Sequence, residues 1–162
     1  MSHLQYYAHK GVGEQKLKQH GYQQAVRVGD RIECSGQGSP PSFLSSLPLP
    51  FPTILLDTLL TTLLGGWDPQ TGEIHREINK QIEQAFANVD LNLRDAGGKG
   101  WEQVFRVNSY HVPMNDEALE AMTAGFKKWM PRHSPIWTCV GVPRLGDDDM
   151  KVEIEVVAHD PK

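Results

Sequence analysis

The sequence predicts one mixed α/β domain with the element order ββαβαββ and two helices on one face of a mixed sheet. Three observations carry that prediction: a hairpin signal near the start, two stretches of helical period, and a closing pair of runs rich in β-branched residues. At 162 residues the chain is one domain, 1–162, long enough to bury roughly 70% of its unfolded surface.

Tyr22 to Val28 and Arg31 to Ser35 alternate apolar and polar residues around Gly29-Asp30, a dipeptide suited to a tight hairpin turn. A helix is expected after Gly72. Ile74, Ile78, Ile82, Phe86 and Val89 recur three or four residues apart, which makes one apolar stripe on a helix. Gly97-Gly98 stops it near Ala96. Trp101 to Val112 reads as a strand, with Val104, Arg106 and Asn108 facing away from Phe105, Val107 and Ser109. Asn115-Asp116 caps a second helix whose apolar side holds Leu119, Met122, Phe126 and Trp129, and Pro131 ends it.

The closing runs are Ser134 to Gly146 and Lys151 to Ala158, with Gly146 and three aspartates between the strands. They read as neighbouring strands. Val152, Ile154 and Val156 share one face and Glu153 and Glu155 the other, while Ile136, Thr138 and Val140 oppose Trp137, Cys139 and Gly141. Glu153 and Cys139 are therefore expected to line one pocket.

A net charge of −4 and a pI near 5.9 argue against a nucleic-acid binder, which shows a basic excess. Lys127, Lys128 and Arg132 read as a solvated helix face. Cys34 and Cys139 have no metal or redox spacing and read as reduced thiols of a cytoplasmic protein. No signal peptide is visible at the start, and no Ser-His-Asp order, phosphate loop or metal spacing stands out. No cofactor or metal is expected.

The closing block resembles the end of the Rid family, also called YjgF or L-PSP endoribonucleases. There a Pro-x-Arg-x-Cys-Val strand and a Lys-[Val/Ile]-Glu-Ile-Glu strand help build the active site. Tyr22, Ser35-Gly-Gln37, Trp67-Asp-Pro-Gln-Thr-Gly-Glu73 and the closing block occur in family order. The resemblance implies a Rid-like, chorismate-mutase-like fold and a homotrimer with small-molecule sites between subunits. It also implies hydrolysis of reactive imines and enamines. Glu153 matches the glutamate that positions the attacking water, Tyr22 the pocket tyrosine, and Ser35 and Cys139 the residues beside the ligand.

Trp137 stands where the family has its arginine, the residue that holds a substrate carboxylate in a bidentate pair. Indole offers one N–H and an apolar face instead. Hydrolysis of carboxylated imines is therefore disfavoured, and the pocket residues Trp137, Tyr22, Cys139 and Glu153 suit a flatter, less anionic ligand, an imine, enamine or related carbonyl compound to be hydrolysed or tautomerised. Arg144, at the following turn, and Arg106 are the other cations considered for the clamp. Thr123 is the nearest match to the family's helix asparagine, and His111, ending a strand, is a further candidate for the cleft. The alternatives are a non-enzymatic ligand-binding or chaperone-like trimer, and the ribonuclease activity of the older family name.

Residues 39–65 interrupt the resemblance with five prolines, a Leu/Thr run and one charge, Asp57. They read as an intron translated in frame or as a hydrophobic loop. Within the loop reading, Pro52 would start an amphipathic helix from Thr53 to Leu64. A membrane span is disfavoured: the three prolines before residue 53 leave about 12 residues where roughly 20 are needed.

Overall fold

The computed structural model describes residues 3–37 and 77–161. Ile74, His75, the Trp67–Glu73 motif and the 39–65 segment lie outside the described residues. The described elements are β1 (Gln5–Tyr7), α1 (Val12–His20), β2 (Ala25–Val28), β3 (Arg31–Gln37), α2 (Ile78–Asp95), a 3-10 turn (Gly100–Gln103), β4 (Val104–His111), α3 (Asp116–Trp129), β5 (Ile136–Gly141) and β6 (Val152–His159). They build one six-stranded mixed sheet in the order β1-β2-β3-β6-β4-β5, with β4 and β5 parallel and the other neighbours antiparallel.

The ββαβαββ series is present, preceded by β1 and α1, which sequence periodicity did not reveal. β1 is three residues long, too short to show alternation, and α1 buries only Val12 and Gly13. The hairpin forms as expected: Val28 pairs with Arg31, and Gly29 takes φ 63° in the turn. Its first strand starts at Ala25 rather than Tyr22.

α2 carries the stripe Ile78, Ile82, Phe86 and Val89, all buried. Asn115 caps α3 by accepting from Ala118 N at 2.9 Å. Between the two helices Phe86 is central. Its ring stacks on Trp101 at 4.6 Å and meets Phe126 edge-on at 5.6 Å. Trp101 Nε1 donates to the Phe86 carbonyl at 2.8 Å, which satisfies the indole in a buried setting. Gly125 allows this packing, because a Cβ there would run into the Phe86 ring.

Two facing assignments change. β4 does not alternate throughout: its register against β6 shifts between Val104 and Arg106, so Val104 and Val107 are both buried. A bulge resets which residues face inward. The larger correction concerns β5 and β6, which are not neighbours, because β4 lies between them. The link from Gly141 to Val152 is too long for a tight hairpin, and β6 is the strand with most to bury. Val152, Ile154, Val156 and Ala158 are all buried, so β6 takes a central place. β5 leaves Ile136 60% exposed and forms the edge.

Gly125→Ala tests the helix packing. Overpacking costs about 1–3 kcal/mol and the gain in helix propensity is roughly 0.5–1 kcal/mol. A net loss of about 1–2 kcal/mol in urea unfolding is expected; unchanged stability would mean that α2 and α3 separate freely.

Candidate functional site

The sheet has two faces, and register assigns each side chain to one of them. Val152, Ile154 and Val156 pack with α2 and α3 residues in the core, so Glu153 and Glu155 project from the opposite face. On β4, Tyr110 pairs with Glu153 and Asn108 with Glu155. On β3, the pairing skips from Cys34–Val156 to Gln37–Ile154, so Ser35 and Gly36 together oppose Glu155. This bulge is the local meaning of Ser35-Gly-Gln37.

The bulge brings Gly36 against the Glu153 carboxylate: a Cβ at Gly36 would occupy the place of Glu153 Oε1. Glu153 is half-buried, and its pKa is raised, first by burial and then by the Glu155 charge. Tyr110 Oη donates a long hydrogen bond of 3.4 Å to Glu155 Oε2. Burial, then the neighbouring carboxylates, raise the Tyr110 phenol as well. Ser35 Oγ donates to the Gln24 carbonyl at 3.2 Å, and buried Gln37 reaches Gln24 Oε1, also at 3.2 Å.

The structure thus places Gly36 beside Glu153, with Ser35 next to it in the bulge and bonded to Gln24, but does not gather the other residues there. Trp137 pairs with Val107 and Cys139 with Ser109, both partners being buried on the helix face. Within one chain, Trp137 and Cys139 therefore lie on the sheet face opposite Glu153, and the expected Glu153–Cys139 pocket does not form. The cause is the intervening β4. Trp137 meets Phe126 edge-on at 5.0 Å, and its Nε1 donates to Ser109 Oγ at 2.9 Å. Its only N–H is already used. Cys139 Sγ lies 3.7 Å from Met114 Sδ. Tyr22 is in an exposed loop, its ring 6.4 Å from that of His20.

The remaining candidates are occupied as well. His111 is fully buried, its Nε2 2.9 Å from Ser109 Oγ, and cannot approach a cleft. Because Trp137 already donates to that oxygen, the Ser109 hydroxyl is free to donate to His111. The His111 Nδ1 has no hydrogen-bond partner among the described residues. Arg144 is paired with Asp148 at 2.8 Å, and Thr123 donates to its own helix at the Glu120 carbonyl. Arg106 does share the Glu153 face, but it pairs with Val157, a full two alternations along β6. Lys128 is held by Glu83 and Arg132 by Glu102, which offsets two of the three charges of the basic patch. Burial pushes the Cys34 thiol up to about 12, leaving it unreactive.

Among the described residues, no group of three or more His, Cys, Asp or Glu side chains could hold a metal ion. No described helix is long and apolar enough to cross a membrane. Sequence reasoning missed Gly36 and Tyr110. A glycine inside a strand run is the available signal for the first, and the second becomes visible only once β4 is known to flank β6.

Comparison with known proteins agrees with this fold. Residues 57–160 match the family described as endoribonuclease L-PSP, a span that leaves out Tyr22 and Ser35. Over 144 residues the chain is 26% identical to the RutC family protein YjgH of Escherichia coli, covering 89% of this chain and 86% of that one. It is 30% identical over 94 residues to the 2-iminobutanoate/2-iminopropanoate deaminase of the same organism, 56% of this chain and 70% of the relative. A YjgF/YER057c/UK114 family member from Mycobacterium tuberculosis has the same fold, with a TM-score of 0.64, 16% identity and coverage of 96% and 98% of the two chains.

Burial lowers the His111 pKa, which predicts an acid-labile fold. Below the ordinary value of 6.5 the unfolded chain binds a proton that the folded chain resists, so stability present above that pH is lost as pH falls through it. Urea midpoints measured from pH 7 to 5 should therefore fall more steeply in wild type than in His111→Gln. Equal slopes would show that the fold leaves the proton affinity of His111 unchanged.

Proposed function

The chain belongs to the endoribonuclease L-PSP family, and on that premise we propose that it hydrolyses small imines or enamines that carry no carboxylate. The observation that carries this reading is Glu153 held against Gly36, half-buried and with its proton affinity raised by that burial. A carboxylate tuned in that direction is suited to general-base work. In the step envisaged, Glu153 takes a proton from water as the water oxygen bonds to the imine carbon. That proton passes to the nitrogen to complete the carbinolamine; the hydroxyl proton then moves, again through Glu153, to the departing nitrogen as the C–N bond breaks, and ammonia and a carbonyl compound leave.

The deaminase name of one relative supports the reaction class. Trp137 narrows the substrate, since its indole N–H is spent on Ser109 and no guanidinium is available at that position. The ribonuclease reading gains nothing from Lys128 and Arg132, which are paired with glutamates.

Glu153→Gln should lower turnover of an uncharged test imine by about 10²–10⁴-fold. Gly36→Ala should lower it as well by displacing the carboxylate, at an overpacking cost of about 1–3 kcal/mol in unfolding. Unchanged turnover in both variants would sink the proposal.

A homotrimer, with clefts between subunits, belongs to the same proposal. Trp137 and Glu153 lie on opposite faces of one sheet, so a single ligand can meet both only where two copies adjoin. The open face also leaves Tyr6 and Val140 exposed. Light scattering should give three times the 18.2 kDa chain mass; a monomer at micromolar concentration would remove the clefts.

A further inference from the structure

We propose that Glu155 and Tyr110 are positioning residues for Glu153: Glu155 places a like charge beside it on the same strand face, and Tyr110 holds Glu155 there. The inference rests on the reading of Glu153 as the water-activating group and adds the residues that tune it.

The argument begins with placement. Glu153 and Glu155 are alternate residues of β6, so their side chains rise from the same sheet face about 7 Å apart at the backbone. Gly36 closes one side of Glu153, and Tyr110 stands directly across on the other. Enclosed in this way, Glu153 cannot swing far from its like-charged neighbour. The Tyr110 hydroxyl reaches past Glu153 to Glu155 Oε2 at 3.4 Å, holding the second carboxylate near the first. Without that bond, this partly exposed carboxylate would turn into solvent.

Other charges on this face do not undo the pairing. Glu33 and Arg106 both pair with Val157, further along β6 than Glu155. Lys151, two residues before Glu153, does not reverse the effect, since the proton affinity of Glu153 is raised in its presence. Glu155 is thus the nearest like charge on the same strand face, and the proton affinity of Glu153 reflects both burial and Glu155.

The test is a carbon-13 NMR titration of the Glu153 carboxyl in wild type, Glu155→Gln, Tyr110→Phe and the double variant. Removing the Glu155 charge should lower the Glu153 midpoint by about half to one pH unit, the Coulomb effect of a partly screened charge at that separation. Tyr110→Phe should lower it by less, and adding it to Glu155→Gln should lower it no further, because Tyr110 acts through Glu155. An unmoved midpoint in Glu155→Gln would overturn the first assignment, and full additivity in the double variant the second.

Imine hydrolysis by the same variants separates this inference from the proposed reaction. If the reaction holds, the acid limb of kcat/KM should move with the NMR midpoint. If turnover is independent of Glu153 while the midpoints still shift as described, the reaction fails and the tuning stands.

Discussion

Strand β6 is the constraint on which the rest of the structure depends. Its even-numbered residues, Val152 to Ala158, are all buried and form the floor on which α2 and α3 pack. Its odd-numbered residues carry Glu153 and Glu155. One strand with period two therefore supplies both the core and the candidate site, and a one-residue slip would exchange them. Its neighbours hold that register: β3 contributes a bulge whose Gly36 accepts the Glu153 carboxylate, and β4 contributes Tyr110.

The helix layer is built on aromatic contact instead. Trp101, Phe86, Phe126 and Trp137 follow one another from the 3-10 turn to the sheet edge, with successive ring separations of 4.6, 5.6 and 5.0 Å. Trp137 ends this row, and its indole is fixed by Ser109. Trp137 thus has structural work of its own. Changing it would disturb the α3–β5 contact as well as any ligand.

Most of the fold was legible in the sequence. The stripe Ile78, Ile82, Phe86 and Val89, the Gly29-Asp30 turn and the alternation of Val152, Ile154 and Val156 each gave the right element, because each reports a local period. What stayed hidden was nonlocal. Nothing in residues 134–158 says that β4 will insert between β5 and β6, so the facing of Trp137 and Cys139 relative to Glu153 could not be read. His111 likewise gave no sign that Ser109 would take up its ring nitrogen and close it into the core. β1 and α1 were missed for a simpler reason, being too short and too polar to show a pattern.

The strand order has a consequence for how the molecule assembles. Pairing β3 with β6 joins Arg31 to His159, a contact between residues far apart in the chain, across the middle of the sheet. Contacts of that span carry a large loop-closure cost and slow folding. Until they form, the hairpin of β2 and β3 and the parallel pair of β4 and β5 each present an unpaired edge. Such edges are templates for a strand from another chain. The interval before β6 docks is therefore the time of greatest exposure to misassembly, and dilution or a holdase that shields β3 and β4 would act at that step.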